Sequence, residues 1–333
     1  MHPVSIENDA LRMEVWPSFG GKMSSLVDKA DEFELLFTYP VEIPTNPQYD
    51  TSYAKGWYAG WDECFPAVAP SPYAGHPYDG IPVPDHGEIW GLPTAAVPSK
   101  AGITTVWNGL RFGYRLTRKL WLDGPSVRAD YTLINLAPFD FHFVWAPNAL
   151  LAMEQAASDV EITLNGPTAF RYSHDSDSVE IQQPFDWPVL SLPAVSLPAV
   201  SLPAVSLSNP SNPSNPSNPP TGPDAPGGAD LSRPASLPPR HAWKAFSVEP
   251  ISLPAQVNYP SRGRWLKLSF ESSEVAAYWG VWVNTRGWAG HKHFSLQPTT
   301  GRFDQIDRST RDGSAGQVGP SARCDWSFQV TVG

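Results

Sequence analysis

Only two of the 333 residues are cysteine, Cys64 and Cys324. Two thiols so far apart in sequence offer neither a disulfide framework nor a four-ligand zinc site, and they suit a chain kept reduced. Basic residues are also sparse: 23 Lys and Arg against 33 Asp and Glu leave a net charge of −10. A nucleic-acid binder must neutralise phosphates with clustered cations, and no such cluster occurs. No uncharged apolar run reaches the roughly 20 residues of a membrane span, so no membrane partner is expected. The opening MHPVSIENDALRMEV puts acids where a secretory leader needs an apolar core, which predicts a cytoplasmic protein. Helical periodicity is nearly missing as well.

Proline and tryptophan are abundant instead, at 37 and 14 residues. Proline at about 11% is double the usual ~5% and argues against a helical protein, because an interior proline removes a donor and clashes with the preceding turn. Many prolines fall in one tract, where residues 191–205 spell SLPAV three times and 208–219 spell SNP four times. Such repeats are too short to form a packing unit of roughly 20 residues, so residues 189–227 read as a disordered, partly polyproline-like insertion. Elsewhere the period is two. Leu110, Phe112, Tyr114, Leu116, Leu120 and Leu122 alternate with mostly polar neighbours after an Asn108-Gly109 turn signal. Val127 to Leu133, Leu266 to Phe270 and Trp326 to Val332 repeat the pattern. Half-buried strands on both sides of the insertion predict one all-β domain, residues 1–333, built as a large antiparallel β-sandwich.

Common catalytic motifs fail. Gly20-Gly21-Lys22 lacks the first glycine and the Ser or Thr of a phosphate loop, and neither G-x-S-x-G nor H-E-x-x-H occurs. Polar and aromatic residues concentrate in two stretches that read as loops, Gly60-Trp61-Asp62-Glu63-Cys64-Phe65-Pro66 and Pro84-Asp85-His86-Gly87-Glu88-Ile89-Trp90. Carboxylates, a histidine and indoles suit a sugar, which offers hydroxyls to acids and C–H surface to an aromatic face. The same residues also suit a capped turn and a packed core. His291-x-His293 and His86-x-Glu88 have metal-ligand spacing but no third ligand, so no metal is expected.

A family resemblance then becomes usable. The run from Asn8 to Leu26, the WDECFP and PDHGEIW stretches, Val281-Trp282-Val283-Asn284 with Gly287-Trp288, and Leu296-Gln-Pro-Thr-Thr-Gly-Arg-Phe-Asp304 resemble aldose 1-epimerase (galactose mutarotase) proteins, in the family's order. The resemblance implies a galactose mutarotase-like sandwich with a sugar cleft and a reaction that interconverts aldose anomers without any cofactor. A carboxylate base takes the anomeric proton while a histidine protonates the ring oxygen.

Carried over by residue, the resemblance makes His86, Asn148 and Gln297 the catalytic positions, and the chemistry of the neighbouring residues offers Asp62, Glu63, Glu88, Trp90 and Trp145 as candidates to bind the sugar. Two of these depart from the pattern. Asn148, in Trp145-Ala-Pro-Asn-Ala-Leu-Leu, stands where the family has histidine, and Gln297 stands where it has the glutamate base. Neither amide transfers a proton at neutral pH. Two readings therefore stay open: an isomerase with weakened or altered catalysis, and a protein that binds a sugar or sugar phosphate without turning it over. A third is a structural protein that uses the sandwich and proline tract for contacts. A phosphorylated sugar would call for a basic rim, for which Arg262, Arg264, Arg286 and Lys292 are available.

Overall fold

Strands with one apolar and one polar edge need a second layer, and two layers are what the chain builds. The computed structural model describes residues 2–40, 46–153, 159–166, 169–172, 184–190 and 229–333. One layer is an eight-stranded antiparallel sheet in the order Glu161–Leu164, Ala255–Tyr259, Arg264–Glu271, Arg323–Val332, Ser126–Asn135, Tyr114–Asp123, Gly102–Asn108 and Ala95–Pro98. The alternation noted in the sequence falls in its central strands. Leu116, Leu120 and Leu122 point into the core from one strand, as do Val127, Ala129, Tyr131 and Leu133 from its neighbour. Leu110 is 59% exposed, because the strand begins only at Tyr114, beyond a turn that holds Gly109 and Gly113.

The second layer joins two six-stranded sheets. One contains Lys22–Asp28, Trp61–Cys64 and Ala146–Ala149; the other contains Lys292–Thr299, Tyr278–Thr285 and Ala242–Ser247. Ala146–Ala149 runs on into Leu151–Ala152, which pairs with the Lys292–Thr299 strand, so the halves meet along that line. Stacked and edge-on aromatics fill the space between layers: Trp61 against Phe328 at 5.4 Å, and Tyr131 parallel to Trp326 at 5.4 Å. Each such ring contributes roughly 1.5–3 kcal/mol through burial. The 10-residue strand Arg323–Val332 closes the eight-stranded sheet between Arg264–Glu271 and Ser126–Asn135.

The expected insertion lies almost wholly outside the described residues. At its margins Val189 is opposite Asp230 and Leu190 opposite Ala229 in an antiparallel pair. Among the described residues no helix is long and apolar enough to cross a membrane. The one α-helix there, Ile306–Asp312, was not foreseen from the sequence.

Candidate active site

WDECFP is a strand rather than a loop, and this decides which of its acids can meet a ligand. On Trp61–Cys64 successive side chains leave opposite faces. Trp61 and Glu63 turn into the core, whereas Asp62 turns outward, away from the eight-stranded sheet. Asp62 lies directly opposite Asn148 on the next strand. The pairing of Leu151 with Phe294, and the hydrogen bond from Thr300 N to Trp145 O at 3.0 Å, fix the register of the following strand. That register sets Asn148 beside Gln297, and Gln297 is opposite Gly280. Directly opposed residues share a face, so Asp62, Asn148 and Gln297 form a row across three adjacent strands.

A loop carries His86 over this row. His86 adopts a left-handed conformation with φ of 60°, uncommon for a side chain with a Cβ and associated with functional turns. Gly87 follows with φ of 76°, and a Cβ there would sit 2.0 Å from Phe65 O, so only glycine fits. His86 Nδ1 lies 2.8 Å from Asp85 Oδ1, which orients the ring and turns Nε2 away from that carboxylate. Its ring stacks on Tyr53 at 3.7 Å with planes 9° apart. The Tyr53 hydroxyl donates to Asp62 Oδ2 at 2.6 Å and accepts from Asn148 Nδ2 at 3.1 Å. Tyr53 thus ties the loop to the row. Burial raises the Asp85 carboxyl, but His86 and the donors Tyr53 N and Ser52 Oγ outweigh it and hold the group below its ordinary value.

Asp62 is fully buried and paired with Lys22 Nζ, which also donates to Ala59 O at 2.7 Å. Burial raises the Asp62 carboxyl and lowers the Lys22 ammonium, and their mutual attraction opposes both shifts. A second cation enters from the other side. Lys244 is opposite Trp282, which is opposite Ser295, so all three share the face of the row. Lys244 Nζ lies 3.3 Å from Asp304 Oδ1 and 5.2 Å from the Phe246 ring centre. Half-buried Trp57, Tyr58, Trp282 and Trp288 form aromatic walls, with Trp288 edge-on to Tyr58 at 4.8 Å.

Four of the predicted site residues, His86, Asn148, Gln297 and Asp62, therefore come together. Four do not. Glu63 faces the core, where it accepts from Arg118 Nη1 and Tyr131 OH at 2.8 Å and from Trp145 Nε1 at 2.9 Å. Glu63 and Trp145 are thus corrected from sugar contacts to a buried network that stitches the two layers together. Glu88 is spent on Tyr49 OH at 2.6 Å and on the backbone of Leu110 and Arg111. Trp90 supports the loop from beneath, its Nε1 donating to Asp85 O at 2.9 Å and its edge against Tyr53. The basic rim also divides. Arg262 and Arg264 pair with Asp31 and Asp28 at the start of an eight-stranded-sheet strand, while Arg286 and Lys292 belong to the hairpin beside Trp288. Among the described residues no three His, Cys, Asp or Glu side chains gather as a metal site.

The chain matches no family model and no curated protein sequence. Solved structures do match it over nearly their whole length. A galactose mutarotase-like protein from Lactobacillus casei is 14% identical with a TM-score of 0.64, covering 99% of this chain and 100% of that one. Another from Clostridium acetobutylicum is 10% identical with a TM-score of 0.64, covering 99% and 95%. An aldose epimerase homologue from C. elegans is 10% identical with a TM-score of 0.57, covering 99% and 98%. The chain has the galactose mutarotase-like fold.

Within that fold, sequence reasoning missed four residues around the row. Trp282 lies in one of the resembling motifs and Asp304 ends another, and neither motif implies a role for it. Lys244 sits in an apolar-looking WKAF run, and nothing near Tyr53 in sequence marks it. Their common position comes from pairings between segments: Trp282 with Ser295, Lys244 with Trp282 and Asp304, and Tyr53 with Asn148, the last 95 residues apart.

Proposed function

We propose that this chain is an aldose 1-epimerase-like carbohydrate isomerase of altered catalysis, acting on an aldose or aldose phosphate bound over the Asp62–Asn148–Gln297 row. One observation supports the reading above others: a histidine oriented by a carboxylate is held by Tyr53 above a row of polar side chains, Asp62, Asn148 and Gln297, with tryptophan on its flanks. Asn148 and Gln297 supply amide hydrogen bonds to hydroxyls. His86 Nε2 delivers a proton to the ring oxygen, and a carboxylate elsewhere in the cleft replaces the base lost at Gln297. Trp282 offers its face to the C–H side of the ring. A single domain over residues 1–333, interrupted at 189–227 and working in the cytoplasm, goes with this proposal.

The two amides favour a second reading, a sugar-binding protein without turnover. Polarimetry or anomer-resolved NMR on fresh α-D-glucose and α-D-galactose separates them. Acceleration above the spontaneous rate, abolished by His86→Ala, is the outcome expected of the isomerase; sugar-induced thermal shifts without acceleration would establish the binder. The double variant N148H/Q297E is expected to raise the rate by at least tenfold, since each residue returns an ionisable group. An unchanged rate would count against the assignment of these two positions.

A further inference from the structure

Resting on the isomerase reading, we propose that Asp304 is the base that replaces the carboxylate missing at Gln297, with Lys244 as its fixed partner. Three observations carry this. Asp304 and His86 are bracketed onto the same short segment: Asp304 O accepts from Val68 N at 2.9 Å and Ala69 N at 3.0 Å, and Val68 O accepts from His86 N at 2.9 Å. The acid and the proposed base therefore hang from opposite sides of one residue, at one end of the cleft.

Second, the ion pair is incomplete. Lys244 is only 9% exposed, and among the described residues its ammonium has Asp304 as its one charged partner. Among the described residues no group donates a hydrogen bond to buried Asp304 Oδ1. A buried carboxylate and ammonium ordinarily complete their hydrogen bonds. These two keep donor and acceptor capacity for a ligand.

Third, Lys244 is placed to reach the Gln297 position. It lies over Phe246, and the space above Gly280 separates Phe246 from Gln297: a Cβ there would stand 3.4 Å from both. A hydroxyl bound by Gln297 thus lies next to the Lys244–Asp304 pair. Lys244 stabilises negative charge growing on the anomeric oxygen.

The step balances without a co-reactant. Asp304 takes the proton from the anomeric O1–H, and the O1 electron pair forms the C1=O1 bond. The C1–O5 bond breaks, and its electrons take the proton that protonated His86 gives up. Rotation about C1–C2 and reversal of these transfers close the ring on the other face.

Steady-state mutarotation of α-D-glucose and α-D-galactose, with sugar-induced thermal shifts recorded alongside, tests the proposal. Asp304→Asn keeps size and the backbone anchor, and is expected to lower kcat/KM by about 10²–10³ while leaving the melting temperature and the thermal shift largely intact. Adding Gln297→Glu to it should recover at least tenfold, because a carboxylate returns to the same cleft. Lys244→Met, which leaves Asp304 in place, should lower kcat/KM by about tenfold. Wild-type rates in Asp304→Asn overturn the assignment of Asp304, while the isomerase reading survives on the His86→Ala result. No acceleration by the wild-type protein removes both. Should Asp304→Asn not fold, an unchanged rate in Lys244→Met overturns the proposal.

Discussion

His293 shows how a single buried ring couples stability to pH. Its Nε2 lies 3.2 Å from Asn284 Nδ2, its Nδ1 has no hydrogen-bond partner among the described residues, and Phe37 covers one face at 4.9 Å. Burial, with His291 adding to it, pushes the imidazole down to about 3. The folded protein therefore refuses a proton that the unfolded chain accepts near its ordinary value of 6.5. The unfolded state binds more protons between those two values, so stability falls as pH drops from about 6.5 toward 3 and is fully present above 6.5. Melting temperature measured from pH 8 to pH 4 should decline below about pH 6.5, and His293→Phe should flatten part of that decline. Identical slopes in the two proteins would show that this ring does not carry the effect.

At the scale of the strand, parity decides function. Asp62 and Glu63 are equally acidic and adjacent, and the sequence supports both as sugar ligands while their stretch is read as a loop. Once Trp61–Cys64 is a strand, one must face the core and the other the cleft. Glu63 went inward because Arg118, Tyr131 and Trp145 meet it there. The ordered motifs did make His86, Asn148 and Gln297 legible as one neighbourhood, and two-residue periodicity made the central strands legible. Tyr53, Lys244 and Asp304 were not, because their roles arise from pairings distant in sequence that no local pattern encodes. Parity also yields a prediction for Trp282. It shares its face with Lys244 and Ser295, and it is half-buried. Trp282→Ala should weaken sugar binding by roughly tenfold, the value of about 1.4 kcal/mol expected for a lost aromatic face. Titration calorimetry with the sugar that gives the larger thermal shift checks it, and an unchanged affinity would remove Trp282 from the sugar-binding surface.

For the whole molecule the question is whether the tract of SLPAV and SNP repeats belongs to the sandwich or only passes between two of its strands. Val189–Leu190 and Ala229–Asp230 already form an antiparallel pair, so the chain leaves the described structure and re-enters it at adjacent points. Replacing residues 191–228 by Asn-Gly supplies a two-residue turn of the kind that joins such strands. Loop-closure entropy changes by about 0.6 kcal/mol for each doubling of loop length, so roughly four halvings should stabilise the protein by up to about 2 kcal/mol. The shortened protein is expected to melt no lower than the full chain and to keep its sugar-induced thermal shift, since none of the cleft residues lies between Asn148 and Lys244. Loss of the cooperative melting transition would mean that the repeats pack against the sandwich and belong to its core. A retained transition with a lost thermal shift would instead assign the tract to the cleft, as a segment that completes the binding surface.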